Sequence, residues 1–85
     1  MSLAKVRKIL TSKGISFREG EDYSKNHEGS IWTWAEGEHP EYFNYYATDY
    51  KKFDCGINIK LKEQLAKVGY FAEWNDCGTI FIWKI

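Results

Sequence analysis

Gly69-Tyr-Phe-Ala-Glu-Trp-Asn-Asp-Cys-Gly-Thr-Ile-Phe-Ile-Trp-Lys-Ile85 is the stretch whose reading decides the fold. Two runs rich in aromatic and β-branched residues flank Asn75-Asp76-Cys77-Gly78. Asn75 and Asp76 suit the opening of a type I turn, and Gly78 is free to take the positive φ that closes a bulged hairpin. The second run places Phe81, Trp83 and Ile85 on one face and Ile80 and Ile82 on the other. A half-solvated strand alternates apolar with polar, so this pattern predicts an interior strand covered on both sides.

Working back from the hairpin, Leu61, Leu65 and Val68 recur at helical spacing. They predict a helix capped by Asn58 and ended by Gly69. Near the other end, Leu3, Val6, Ile9 and Leu10 form a similar stripe, with Ser2 as cap and Gly14 just past the last turn. Ile15 to Arg18 alternates as a first strand, Ile31 to Ala35 as a second, and Tyr42 to Thr48 as a third. Residues 19–30 are polar, acidic and glycine-bracketed and read as a surface loop of about a dozen residues. Residues 36–41 hold the single proline and read as a turn.

The resulting order is α-β-β-β-α-β-β within one α+β domain spanning residues 1–85. The expected architecture is a mainly antiparallel sheet of four or five strands, with both helices on one face. A chain this short buries only roughly 60–65% of the surface exposed by its unfolded form. Its 15 aromatic side chains therefore matter, because each supplies large buried area with few rotors to freeze. With the helices on one face, some of Trp32, Trp34, Phe43, Tyr45, Phe81 and Trp83 fall on the other. Sheet curl, a second subunit or a partner is needed to cover them.

Two cysteines far apart in sequence give no disulfide framework, and the Met-Ser-Leu-Ala-Lys opening reads as amphipathic helix rather than export segment. No run approaches the ~20 apolar residues of a membrane span. A reducing cytoplasm is the expected compartment. Net charge is zero but uneven: residues 1–18 hold five basic side chains and no acid, whereas residues 19–49 hold eight acids and one lysine. Such asymmetry points to complementary patches or to charged partners.

Candidate chemistry is sparse. Cys55 precedes the second helix, where a thiol ionises more readily, yet a nucleophile also needs a base and only His27 and His39 are available. The gaps from His27 to His39 and from Cys55 to Cys77 lack the close ligand pairs of structural zinc sites. Asp22, Ser24, Asn26 and Glu28 alternate as calcium-loop ligands do, but His27 stands where that loop needs glycine and Thr33 where it needs glutamate. No cofactor and no metal are expected, and an enzyme is not.

The order α-β-β-β-α over roughly residues 1–68 resembles that of double-stranded-RNA-binding domains. The resemblance implies a basic cluster opening the second helix, and Lys60 and Lys62 lie near that place without the family's Lys-Lys-x-Ala-Lys pattern. An aromatic sheet flanked by lysines also suits single-stranded bases. In its compact, tyrosine- and tryptophan-rich style the chain is similar to small accessory proteins of tailed bacteriophages.

The expected role is a non-catalytic interaction module that self-associates or meets a protein partner, with no membrane association. Trp32, Trp34, Tyr45 and Trp83 are the expected contact residues. The alternative is a nucleic-acid binder with Lys5, Lys8, Lys60 and Lys62 as phosphate contacts. A thiol-dependent enzyme using Cys55 is the second alternative.

Overall fold

The computed structural model describes residues 3–35 and 40–85. Helix α1 (Leu3–Ser12) buries Val6 and Leu10, and helix α2 (Ile59–Lys67) buries Leu61 and Leu65. Asn58 caps α2 by accepting a hydrogen bond from the Leu61 backbone N–H at 3.1 Å. Strands β1 (Phe17–Glu19), β2 (Ile31–Trp34), β5 (Tyr70–Asp76) and β6 (Thr79–Lys84) form one antiparallel sheet in the order β1-β2-β6-β5. The doubly apolar strand is therefore interior, as its pattern requires. The expected cap at Ser2 and most of the expected turn (36–39) lie outside the described residues.

Register fixes which side chains share a face. Phe17, Thr33, Ile80 and Trp74 form one cross-strand row, and Glu19, Ile31, Ile82 and Ala72 the next. Ile31, Ile80 and Ile82 join Val6, Leu10, Leu61 and Leu65 in a single core, so both helices cover this face. The α1 side is fastened by Arg7, whose guanidinium donates to both Glu19 carboxylate oxygens at 2.9 and 2.5 Å. Thr33, fully buried, donates its hydroxyl to the Ser16 carbonyl at 2.8 Å.

The third β unit differs from the expectation. Tyr42 to Thr48 is not a strand; it keeps one antiparallel bridge, Phe43 to Ile57. Asn44 ends it, since its side-chain oxygen accepts from the Tyr46 N–H at 3.2 Å and its carbonyl from the Ala47 N–H at 3.0 Å. Asparagine turns the chain in this way by offering local acceptors that compete with a ladder. The β unit is supplied instead by a short hairpin, β3 (Phe53–Asp54) and β4 (Ile57–Asn58), in a separate two-stranded sheet. Because β6 rather than a third consecutive strand flanks β2, the sheet of the double-stranded-RNA-binding family is not formed.

The β5–β6 turn also closes differently. Asp76 pairs directly with Thr79 and the irregularity falls between Trp74 and Asp76, leaving Asn75 as the extra residue of a bulge. Gly78 does not take a positive φ. Its N–H instead donates to the Asp76 carboxylate at 2.9 Å, and that bond holds the Asp76 carboxyl below the usual range.

Candidate functional site: an aromatic sheet face

The face opposite the helices carries Trp32, Phe81 and Glu73 in one row, with Arg18 at its β1 end. Trp83 pairs with Phe71 in the neighbouring row, and Trp34 with Thr79 in the other. Trp32 and Trp34 stand two residues apart on β2, ring centroids 5.9 Å apart and planes 70° from parallel. This is the concentration of aromatics that strand alternation predicts.

Cover for this face comes partly from the segment read as a polar surface loop. Residues 20–30 fold back as two single-turn 3-10 helices, Gly20–Asp22 and Lys25–His27. The loop ends are stapled: the Gly20 N–H donates to the Ser30 carbonyl at 2.8 Å, and the Ser30 hydroxyl donates to the His27 carbonyl at 2.6 Å. A Cβ on Gly20 would sit 2.0 Å from the Ser30 Oγ and 2.2 Å from the His27 carbonyl oxygen, so this closure needs glycine. Closure brings Tyr23 against Phe81 edge-on at 5.0 Å and against Trp32 at 5.2 Å. His27 stacks on the same Phe81 ring.

Phe81 is thereby only 2% exposed, whereas Trp32, Trp34 and Trp83 stay half-buried and Phe71 is 37% exposed. The inward-folding loop thus covers Phe81, and cover of the face as a whole is incomplete. The acidic residues around Tyr23 and His27 hide this covering role in the sequence, where His27 stands out only as a candidate base or metal ligand. Their spacing of four, bracketed by Gly20 and Ser30, is the signal that marks them.

Of the expected contact residues, Trp32, Trp34 and Trp83 are brought together on this face. Tyr45 is not with them; its ring meets Tyr46 at 5.2 Å and Trp74 at 5.1 Å, on the side of β5 that faces the helices. Lys5 and Lys8 are exposed on α1, and Lys60 and Lys62 on α2, the layer opposite Trp32, Trp34 and Trp83. Lys62 forms an ion pair with Asp54 and, with the Cys55 thiol, holds the Asp54 carboxyl below its usual range. These four lysines therefore do not share a surface with Trp32, Trp34 and Trp83.

Cys55 is exposed and occupies the first position of the β3–β4 turn, before the helix cap. Its neighbours lining a cleft are Tyr45, Ala47, Tyr50, Phe53, Gly56 and Trp74, with no histidine among the described lining residues. A thiol nucleophile has no base there. Among the described residues no group of three or more His, Cys, Asp or Glu is placed to hold a metal ion, and no helix is long and apolar enough to cross a membrane. Compared with known proteins, the chain matches no family model, no curated protein and no solved structure.

Proposed function

We propose that the chain is a non-catalytic interaction module whose contact surface is the aromatic face of the sheet. The observation that carries this reading is the incomplete cover of that face: Phe71 is 37% exposed beside the half-buried Trp32, Trp34 and Trp83. Aromatic side chains concentrated on one partly open surface are characteristic of contact regions.

A second copy of the chain is the partner that its charges suit best. Arg18 and Glu73, both exposed, stand at opposite ends of the row Arg18–Trp32–Phe81–Glu73. Two copies related by a two-fold axis parallel to the strands bring Arg18 of each over Glu73 of the other. A self-complementary patch of this kind is what an isologous dimer requires. Zero net charge leaves little long-range repulsion between copies.

The discriminating experiment is a charge reversal read by sedimentation equilibrium. Arg18→Glu and Glu73→Arg are each expected to weaken association, and the double variant to restore it. Additive weakening in the double variant would remove the two-fold arrangement. A heterologous protein partner on the same face is the second reading, favoured if the chain is monomeric while Phe71 remains accessible. Because Lys5, Lys8, Lys60 and Lys62 stand on the helical layer, a fluorescent single-stranded oligonucleotide is expected to show no salt-sensitive binding.

A further inference from the structure

A second group of rings lies at the other side of β5, away from the proposed contact face. The Trp74 Nε1–H donates to the Cys55 carbonyl at 2.7 Å, which fixes the indole against the β3–β4 turn. Tyr45 meets this indole at nearly a right angle, with centroids 5.1 Å apart and planes at 87°. Tyr50 and Phe53 complete the aromatic lining of an open cleft of about 450 Å³, with Ala47, Cys55 and Gly56 as its other lining residues.

We infer that this cleft is an aromatic cage for a quaternary ammonium group. Walls at right angles do not sandwich a flat ring, which stacks between parallel faces; they suit a compact, rounded group. The faces of tyrosine, phenylalanine and tryptophan carry negative electrostatic potential and attract a cation. No Lys, Arg or His is among the described lining residues, so no cation stands in the lining itself. The Asp54 carboxylate, interacting with the Cys55 thiol, adds negative charge beside the lining, although Lys62 balances part of it.

The same lining selects among cations. A primary ammonium brings three N–H donors that must be met on leaving water. Here the Cys55 carbonyl already accepts from Trp74, and the Tyr45 and Tyr50 hydroxyls are the side-chain oxygens in the lining. A quaternary ammonium has no N–H and loses nothing by this. Tyr50, 80% exposed, is the wall with the least packing of its own and gains most by closing on a bound group.

The test is a titration of the full-length, ¹⁵N-labelled chain with choline, following the Trp74 indole N–H resonance. In parallel, 3,3-dimethylbutan-1-ol provides the same shape with neutral carbon in place of nitrogen. Saturable shifts with choline are expected, with the alcohol binding about tenfold more weakly. Tyr50→Ala is expected to weaken choline binding about fivefold while the rest of its spectrum overlays that of the parent. Free trimethyllysine identifies the carrier: tighter binding than choline assigns the group to a modified side chain, weaker binding to a small alkylammonium compound. The inference is overturned if neither quaternary ligand gives a saturable shift, or if the alcohol binds as tightly as choline. Unchanged quaternary-ligand affinity in Tyr50→Ala overturns it equally.

Discussion

His27 stacks its imidazole on the ring of Phe81, with centroids 4.1 Å apart and planes 29° from parallel. The contact joins a loop to the centre of the sheet face that the helices leave uncovered. Ser24 shares a hydrogen bond of 2.8 Å with His27 Nδ1 and holds the ring in place. His27→Ala removes this lid and one of the two rings over Phe81. A loss of about 1 kcal/mol is expected in urea unfolding, the size of one aromatic pair. An unchanged urea midpoint would mean that the loop contributes nothing to covering the sheet.

The β3–β4 turn carries consecutive residues at positive φ, Cys55 at 51° and Gly56 at 80°. Such two-residue turns favour Asn-Gly, since asparagine tolerates the left-handed region better than cysteine. Cys55→Asn is expected to stabilise the chain by about 0.5 kcal/mol. Gly56→Ala is expected to destabilise it by about 2 kcal/mol. There the added Cβ would lie 2.7 Å from the Asn44 carbonyl oxygen and 3.1 Å from Trp74, on top of the strained φ. Thermal unfolding of both variants checks the pair, and equal effects would contradict the assigned turn.

Thr33→Val keeps shape but removes the hydroxyl that reaches the Ser16 carbonyl at 2.8 Å. At this fully buried site a loss of about 1–2 kcal/mol is expected from chemical denaturation. Replacement without loss would show that the bond does not tie β2 to the chain before β1.

The Arg7 guanidinium holds the Glu19 carboxyl below its usual range, chiefly by direct hydrogen bonding, with burial working against it. A carboxylate whose pKa is lowered on folding stabilises the fold above its unfolded value, and that contribution fades as pH falls through the folded value. The window is therefore acidic, opening below about pH 4. Glu19→Gln is expected to cost about 0.5 kcal/mol at neutral pH, a small figure because both side chains are about a third or more exposed to solvent. The difference from the parent chain should vanish at low pH, and a difference that grows on acidification would reverse the assignment.

Much of this fold is legible in the sequence because periodicity records burial. Leu61, Leu65 and Val68 mark α2, and Ile80 to Trp83 mark an interior strand, before any tertiary fact is known. Tyr42 to Thr48 misleads for a local reason: its residues favour strand, but the Asn44 side chain and carbonyl capture the following N–H groups and turn the chain. Residues 20–30 mislead for a tertiary reason. Polarity correctly places the backbone at the surface, but it does not show that Tyr23 and His27 turn inward onto Phe81. Trp32, Trp34 and Trp83 share a face because strand parity and pairing register fix it. Tyr45 belongs with them only if Tyr42 to Thr48 is a strand; it is not, and the ring joins Trp74 instead.

Sedimentation equilibrium of the parent chain and Phe71→Lys, each across a dilution series, tests most directly whether the aromatic face is a contact surface between copies. Phe71 lies on edge strand β5 and is 37% exposed, so lysine there is compatible with folding, which circular dichroism of the same samples verifies. The expected result is a concentration-dependent dimer for the parent chain and a folded monomer for the variant. A parent chain that is monomeric at every concentration, or a variant that dimerises as well as its parent, would contradict self-association through this face.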